Sequence, residues 1–314
     1  MITKKMMAIG AIALGLLTTV SCGSDDDGGG TPPVETADAT LVLAGIEPLE
    51  GDFIYEGWII VNGTPISTGT FDATEEEYTF TTVASDLEAA TRFVVSIEPV
   101  PDMDPDPAAT KILSGAFDGT RANLTLDEVA DFADIDGNFE VFTPSDEDDT
   151  NEENGLWFVT TNVDAMDGEE PFEAGLNLPD LAPGWKYEGW VVFEKDGVDV
   201  PVSTGTFTDI NRFDEASIYS SDRLTPNFPG QDFLTSSFTS IDGMTTLTFP
   251  EDGNVTMPSG QTVVVSIEPD PDTDPAPFFV KPLNGNIGTE ISPAPNQLFR
   301  NNLLLNGIGG TVTR

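Results

Sequence analysis

The sequence has no histidine, a single cysteine, and only 12 Lys+Arg against 55 Asp+Glu, a formal net charge of −43. Each shortage removes a class of chemistry. Without His there is no Ser-His-Asp triad, no Cys-His pair, no imidazole ligand for zinc, and no base that titrates near neutrality unperturbed. The lone Cys22 can close no internal disulfide and build no thiolate cluster. Excess carboxylate repels phosphate backbones and anionic lipid faces, which excludes a nucleic-acid partner. Helical periodicity is nearly missing too; Asp127 to Ala133 offers one turn or so. What is present is apolar material for real cores: 20 Phe and a 39% hydrophobic fraction. The length of 314 residues accommodates about two domains.

Lys4 and Lys5 precede an apolar run from Met6 to Val20, shorter than the ~20 residues that cross a bilayer. Thr19-Val20-Ser21-Cys22 follows, so residues 1–21 read as a secretory signal. The segment resembles the lipobox of bacterial lipoproteins, in which the Cys is diacylated and becomes the first residue after cleavage. Thr19 stands where that family usually has an aliphatic residue. Residues 22–37, with Asp25-Asp26-Asp27-Gly28-Gly29-Gly30, form a flexible acidic tether. Its acids beside Cys22 resemble the export signal of Bacteroidetes surface lipoproteins. The resemblance implies lipidation of Cys22 and an outer-membrane lipoprotein exposed on the cell surface. Periplasm-facing anchoring is the alternative.

The body is duplicated. Tyr55-Glu56-Gly57-Trp58 recurs as Tyr187-Glu188-Gly189-Trp190, and Pro65-Ile66-Ser67-Thr68-Gly69-Thr70-Phe71 as Pro201-Val202-Ser203-Thr204-Gly205-Thr206-Phe207. Val94 to Pro99 recurs identically as Val264 to Pro269, and Lys111, Leu113 and Gly115 recur as Lys281, Leu283 and Gly285. The offset grows from 132 to 136 to 170, which locates one insertion near Glu194-Lys195-Asp196-Gly197 and a larger one at 208–262. Trp58 to Val61 before Asn62-Gly63, and Trp190 to Phe193 before Asp196-Gly197, read as hairpin strands. Val94 to Ile97 is a strand stopped by a proline. Leu41 to Leu43, Phe139 to Phe142, Leu156 to Val159 and Thr245 to Phe249 add others. The expected fold class is all-β, built from duplicated β-sandwich-like units. The layout is repeat 1 at 38–126, connecting strands and an acidic loop at 127–171, repeat 2 at 172–291, and a tail at 292–314. The repeats form either two tandem domains or two halves of one larger β body.

Tyr-Glu-Gly-Trp, then Pro-x-Ser-Thr-Gly-Thr-Phe, then Val-Ser-Ile-Glu-Pro and an Asp/Pro-rich loop resembles the C-terminal domain of anti-sigma-K factors, in both repeats. Family members that restrain a sigma factor carry a cytoplasmic sigma-binding domain and a transmembrane helix. This sequence offers a lipid anchor and a tether in their place. The resemblance therefore implies the sensor-side fold rather than sigma-factor inhibition.

Four carboxylate pairs are shared by the repeats: Glu56/Glu188, Glu98/Glu268, Asp102/Asp272 and Asp104/Asp274. Glu56 and Glu188 read as strand-edge acceptors, because a catalytic pair would not need copying into both units. The loops Glu98 to Pro107 and Glu268 to Pro277 alternate Asp with Pro. They read first as stiff crossovers. A calcium ion held by Asp102, Asp104, Asp272 and Asp274 is the less favoured alternative, since two acids per loop do not fill a shell of about 6–8 oxygens. Asp134 to Glu140 fails EF-hand spacing, and Asn306-Gly307-Ile308-Gly309-Gly310 has no Lys for a phosphate loop. Phe228 and Phe233, in the large insertion, either recognise a ligand or cover the core. The sequence assigns no catalytic residue, cofactor or firm metal ligand. The expectation is a non-enzymatic, lipid-anchored envelope protein that binds a protein or glycan or organises the surface. The alternative is a sensor-type component of an anti-sigma-like signalling system.

Overall fold

The computed structural model describes residues 33–145, 148, 150, 152–166, 171–195, 197–215, 220, 226–234, 237–239, 246–248, 259–272, 276–289 and 294–314. The first copy forms β1 (Thr36–Ala44), β2 (Phe53–Val61), β3 (Thr64–Phe71), β4 (Glu77–Val83), the short helix α1 (Ala84–Ala89), β5 (Arg92–Pro99), β6 (Lys111–Asp118) and β7 (Arg121–Leu124). The connection supplies β8 (Asp136–Phe139), β9 (Gly155–Trp157), β10 (Val159–Thr161), β11 (Phe172–Ala174) and β12 (Leu176–Asn177). The second copy follows with β13 (Trp185–Lys195), β14 (Val198–Phe207), β15 (Gly230–Asp232), β16 (Ser237–Thr239), β17 (Thr246–Thr248), β18 (Thr262–Pro269) and β19 (Leu283–Asn286). Residues 292–314, read from sequence as a tail, supply β20 (Asn296–Arg300), α2 (Asn302–Leu305) and β21 (Gly309–Thr313).

The all-β expectation holds, with about half of the chain in strands. The strands curl instead of forming flat layers. An eight-stranded sheet runs β3-β2-β5-β6-β7-β21-β1-β4, and its end strands β3 and β4 approach each other to make a near-barrel. A seven-stranded half-barrel runs β12-β8-β20-β19-β18-β13-β14. Bulges at Gly57/Trp58 and Val95/Ser96 in the first sheet and at Gly189/Trp190 in the second accompany the curl, because an extra residue on one strand bends it and increases its twist. Asp127 to Ala133 forms turns rather than a helix.

Laid beside one another, the seven-stranded order matches the first seven strands of the eight-stranded one, with β4 the extra strand, and the two differ in who supplies one slot. In the first sheet that slot, between β7 and β1, is filled by β21 from the far end of the chain. In the second, the slot between β20 and β12 is filled by β8, which follows directly after the first copy. Each copy thus sends its following strand into the other copy's sheet. The exchange accounts for Glu35–Arg314 forming one compact unit, and for one apolar core that includes Tyr55, Phe93 and Ile97 together with Tyr187, Val265 and Ile267.

The large insertion anchors on the connection. β15 pairs with β9. Phe233 is fully buried edge-on to Phe193, and Phe228 packs against the small cluster of Phe142, Trp157 and Val159. Both aromatics cover core.

Candidate functional site

Strand alternation divides each copy's central strands into two faces. Tyr55, Ile59, Phe93, Val95 and Ile97 point into the main core, and Glu56, Trp58, Ser96 and Glu98 share the other face. The second copy repeats this division. On that second face the sequence repeats become repeated hydrogen bonds. The Trp58 indole donates to Ser96 Oγ at 2.8 Å, and Ser96 Oγ donates to Glu98. Trp190 donates to Ser266 Oγ at 2.8 Å, and Ser266 Oγ donates to Glu268. Ser67 donates to Glu56 as Ser203 does to Glu188. On the core side, the Tyr55 and Tyr187 hydroxyls each donate to a carbonyl eight residues upstream, Glu47 and Pro179, at 2.8 Å.

Glycine at the third position of Tyr-Glu-Gly-Trp is a packing requirement. A Cβ on Gly57 would fall 2.6 Å from Thr68 Oγ1 and 2.8 Å from the Phe93 ring. One on Gly189 would clash with Thr204 Oγ1 and sit 2.5 Å from the Phe158 ring. The bulge after each glycine lies against β3 or β14, while the register with the strand that carries the serine runs on unbroken.

Glu98 and Glu268 are each 1% exposed. Their loops return over them, and the backbone N–H of Ala108 donates to Glu98 at 2.9 Å as that of Phe278 does to Glu268 at 3.0 Å. Burial raises the Glu98 carboxyl above its ordinary value, against the lowering effect of Ser96 and Ala108. In the second copy the same cause acts more strongly. Burial pushes Glu268 up to about 8, opposed by Ser266 and assisted by the charge of Glu188. Burial, with Asp272 and Asp214 nearby, takes Glu188 up to about 7.

The second copy therefore concentrates acids. One carboxylate oxygen each from Glu188, Glu268 and Asp272 lie within 4.8 Å of one another. Glu268 and Asp272 also line a cleft of about 270 Å³ between the copies, whose other wall carries Glu47, Leu49, Glu50 and Phe53 of the first copy. Lys281 sits close by, its ammonium depressed by burial and supported by the charges of Glu47 and Glu268.

Of the acids singled out from sequence as calcium candidates, Asp272 joins this cluster. Asp102 and Asp104 are used otherwise: the N–H of Asp104 donates to Asp102 at 2.9 Å, and that of Asp106 to Asp104 at 3.1 Å. Each carboxylate caps its own turn, two residues on. Asp274 and Cys22 lie outside the described residues. No local pattern in the sequence states the juxtaposition of Glu188 with Glu268; the register Glu188↔Ser266 places them on one face. Asp214, brought in by the insertion, carried no sequence signal. Two more buried acids went unremarked. Glu140 accepts from the N–H and hydroxyl of Thr161, and Asp232 from the Trp157 indole and the N–H of Ser145, both at 2.6 Å.

The first copy, with its Trp-Ser-Glu relay, is also where a known family is recognised. Residues 27–112 match the family described as anti-sigma-K factor rskA, C-terminal. The match takes in β1 to β5 and the start of β6; the second copy lies beyond it. No curated protein and no solved structure matches the chain. Among the described residues, no helix is long and apolar enough to cross a membrane.

Proposed function

We propose that this protein is an extracytoplasmic, sensor-type component of an anti-sigma-like envelope signalling system, non-enzymatic and held to the outer membrane through lipidated Cys22. The match of residues 27–112 to the C-terminal domain of an anti-sigma factor carries the reading. The second copy repeats the matched copy's Tyr, Trp-Ser-Glu and Ser-Glu hydrogen bonds, which supports extending the kinship to both. Recognition, rather than turnover, is the role assigned to it. Glu56, Glu98, Glu188 and Glu268 each accept from a serine hydroxyl inside the fold, an arrangement suited to holding strands and loops in place.

The cleft between the copies favours a second reading. In it, the protein is a surface-displayed module that binds a protein or glycan, or organises the surface, without signalling. Gene deletion with transcript profiling under envelope stress separates the two. The sensor reading expects a discrete set of transcripts to lose its response, and a chemically cross-linked membrane partner to be recovered with the protein. An unchanged transcript profile, together with removal of the protein from intact cells by added protease, would replace it with the second reading.

A further inference from the structure

The two copies carry the same acids but not the same consequences. Glu188 is 6% exposed; its Oε1 accepts from Ser203, while Oε2 is closed off from solvent and receives no hydrogen bond. A buried carboxylate oxygen without a donor is costly, because its lost hydration is not replaced by the protein. Its charged surroundings do not relieve it, since Asp272, Asp214 and Glu268, with which it interacts electrostatically, are all acids.

A proton relieves it near neutrality, and a metal cation that displaces the proton would do so as well. One oxygen each of Glu188, Glu268 and Asp272 lie within 4.8 Å of one another, so that a side-chain adjustment of a few tenths of an ångström at most brings all three to the ~2.4 Å typical of calcium–oxygen bonds. The three come from rigid or pinned positions. Glu188 is on β13 and Glu268 is the penultimate residue of β18, its carboxylate fixed by Ser266 and by the Phe278 N–H. Asp272 stands at the exposed entrance, and with Glu268 it borders the cleft between the copies, which gives the ion a path and water to complete its shell. Hard, anionic, all-oxygen ligands of flexible denticity suit calcium, whereas magnesium gives up its water reluctantly and holds to a tighter octahedron.

We infer that the second copy binds a calcium-class divalent cation through Glu188, Glu268 and Asp272. The site differs from the loop quartet considered from sequence, in that two of its three ligands are buried strand residues. The inference stands on the second copy's geometry alone and is independent of the signalling reading.

The test uses purified full-length protein in detergent, stripped with chelator and titrated with calcium chloride. Melting should rise by roughly 5 °C when calcium is far above its dissociation constant. Terbium should bind competitively with calcium and luminesce on tryptophan excitation, because Trp190 reaches Glu268 through Ser266. Asp272→Asn, at an exposed position, should still fold and melt cooperatively without calcium, and should weaken calcium at least tenfold. Glu188→Gln should melt no lower than the parent without calcium, and should lose the calcium shift. Glu98→Gln, in the first copy, should keep it. The inference fails if the parent shows no shift, or if the shift persists undiminished in both Asp272→Asn and Glu188→Gln, which would place the ion elsewhere on this acidic chain.

Discussion

The guanidinium of Arg314 donates to the backbone carbonyl of Leu87, 227 residues earlier in the chain. It also reaches the carbonyls of Glu88, Ala90 and Gly119 and stacks over Phe117 at 4.2 Å. These contacts close the first copy's sheet with a strand, β21, that follows the second copy. Deleting residues 309–314 leaves β1 and β7 without their shared neighbour. The amides of β1 and β7 that face β21 should then exchange with solvent orders of magnitude faster, whereas that of Leu43, which donates to the Glu76 carbonyl on the β4 side, keeps its partner. Retained protection at the amides facing β21 would show that β21 does not complete the sheet. Arg314→Ala is the milder form, with an expected loss of about 1–3 kcal/mol in denaturant unfolding.

Gly57→Ala and Gly189→Ala test the close approach at the bulges. Each Cβ would meet a threonine hydroxyl and a phenylalanine ring, so each substitution should destabilise by about 1–3 kcal/mol. Alanine at Gly63, where a Cβ meets no neighbour but φ is +82°, should lose only about 1 kcal/mol, from backbone strain. Equal losses at all three would remove packing as the reason for the repeated glycine.

Asp232 ties the insertion to the connection. With Asp232→Ala, the Trp157 indole and the Ser145 N–H lose a fully buried acceptor. The expected loss is about 2–5 kcal/mol, with a change in near-ultraviolet circular dichroism around Trp157. An unaltered melt would mean the insertion is not held there.

Glu98 should give stability a defined pH dependence. Its folded carboxyl lies above the ordinary 4.5, mainly through burial. The native state therefore holds a proton that the unfolded chain has released. Its contribution is full below about pH 4.5 and is lost as pH rises through the raised value, at up to about 1.4 kcal/mol per pH unit. In chelator, Glu98→Gln should show a shallower fall above pH 4.5 than the parent. Parallel curves would mean Glu98 ionises in the fold as it does in the unfolded chain.

The anchor has its own test. Cys22→Ala should move the protein from the membrane fraction to the soluble fraction. Membrane retention of this variant would rule out the lipid anchor.

The sequence by itself determined the all-β fold class and the recurrence of its motifs. Those are short-range matters: alternation places Tyr55 and Ile59 on one face and Glu56 and Trp58 on the other, and Asn62-Gly63 turns the hairpin. It also placed Glu188, Glu268 and Asp272 among the acids worth watching. Only the tertiary structure decided which acids meet. Asp102 and Asp104 satisfy their own turns locally, whereas Glu188 and Glu268, 80 positions apart, meet because β13 pairs with β18 in a register no local pattern states. The exchange of β8 and β21 was hidden for the same reason. β8 and β21 each pair with strands far from them in sequence, so their pairing is settled by how the whole chain closes its two sheets, and no segment of sequence carries that information alone.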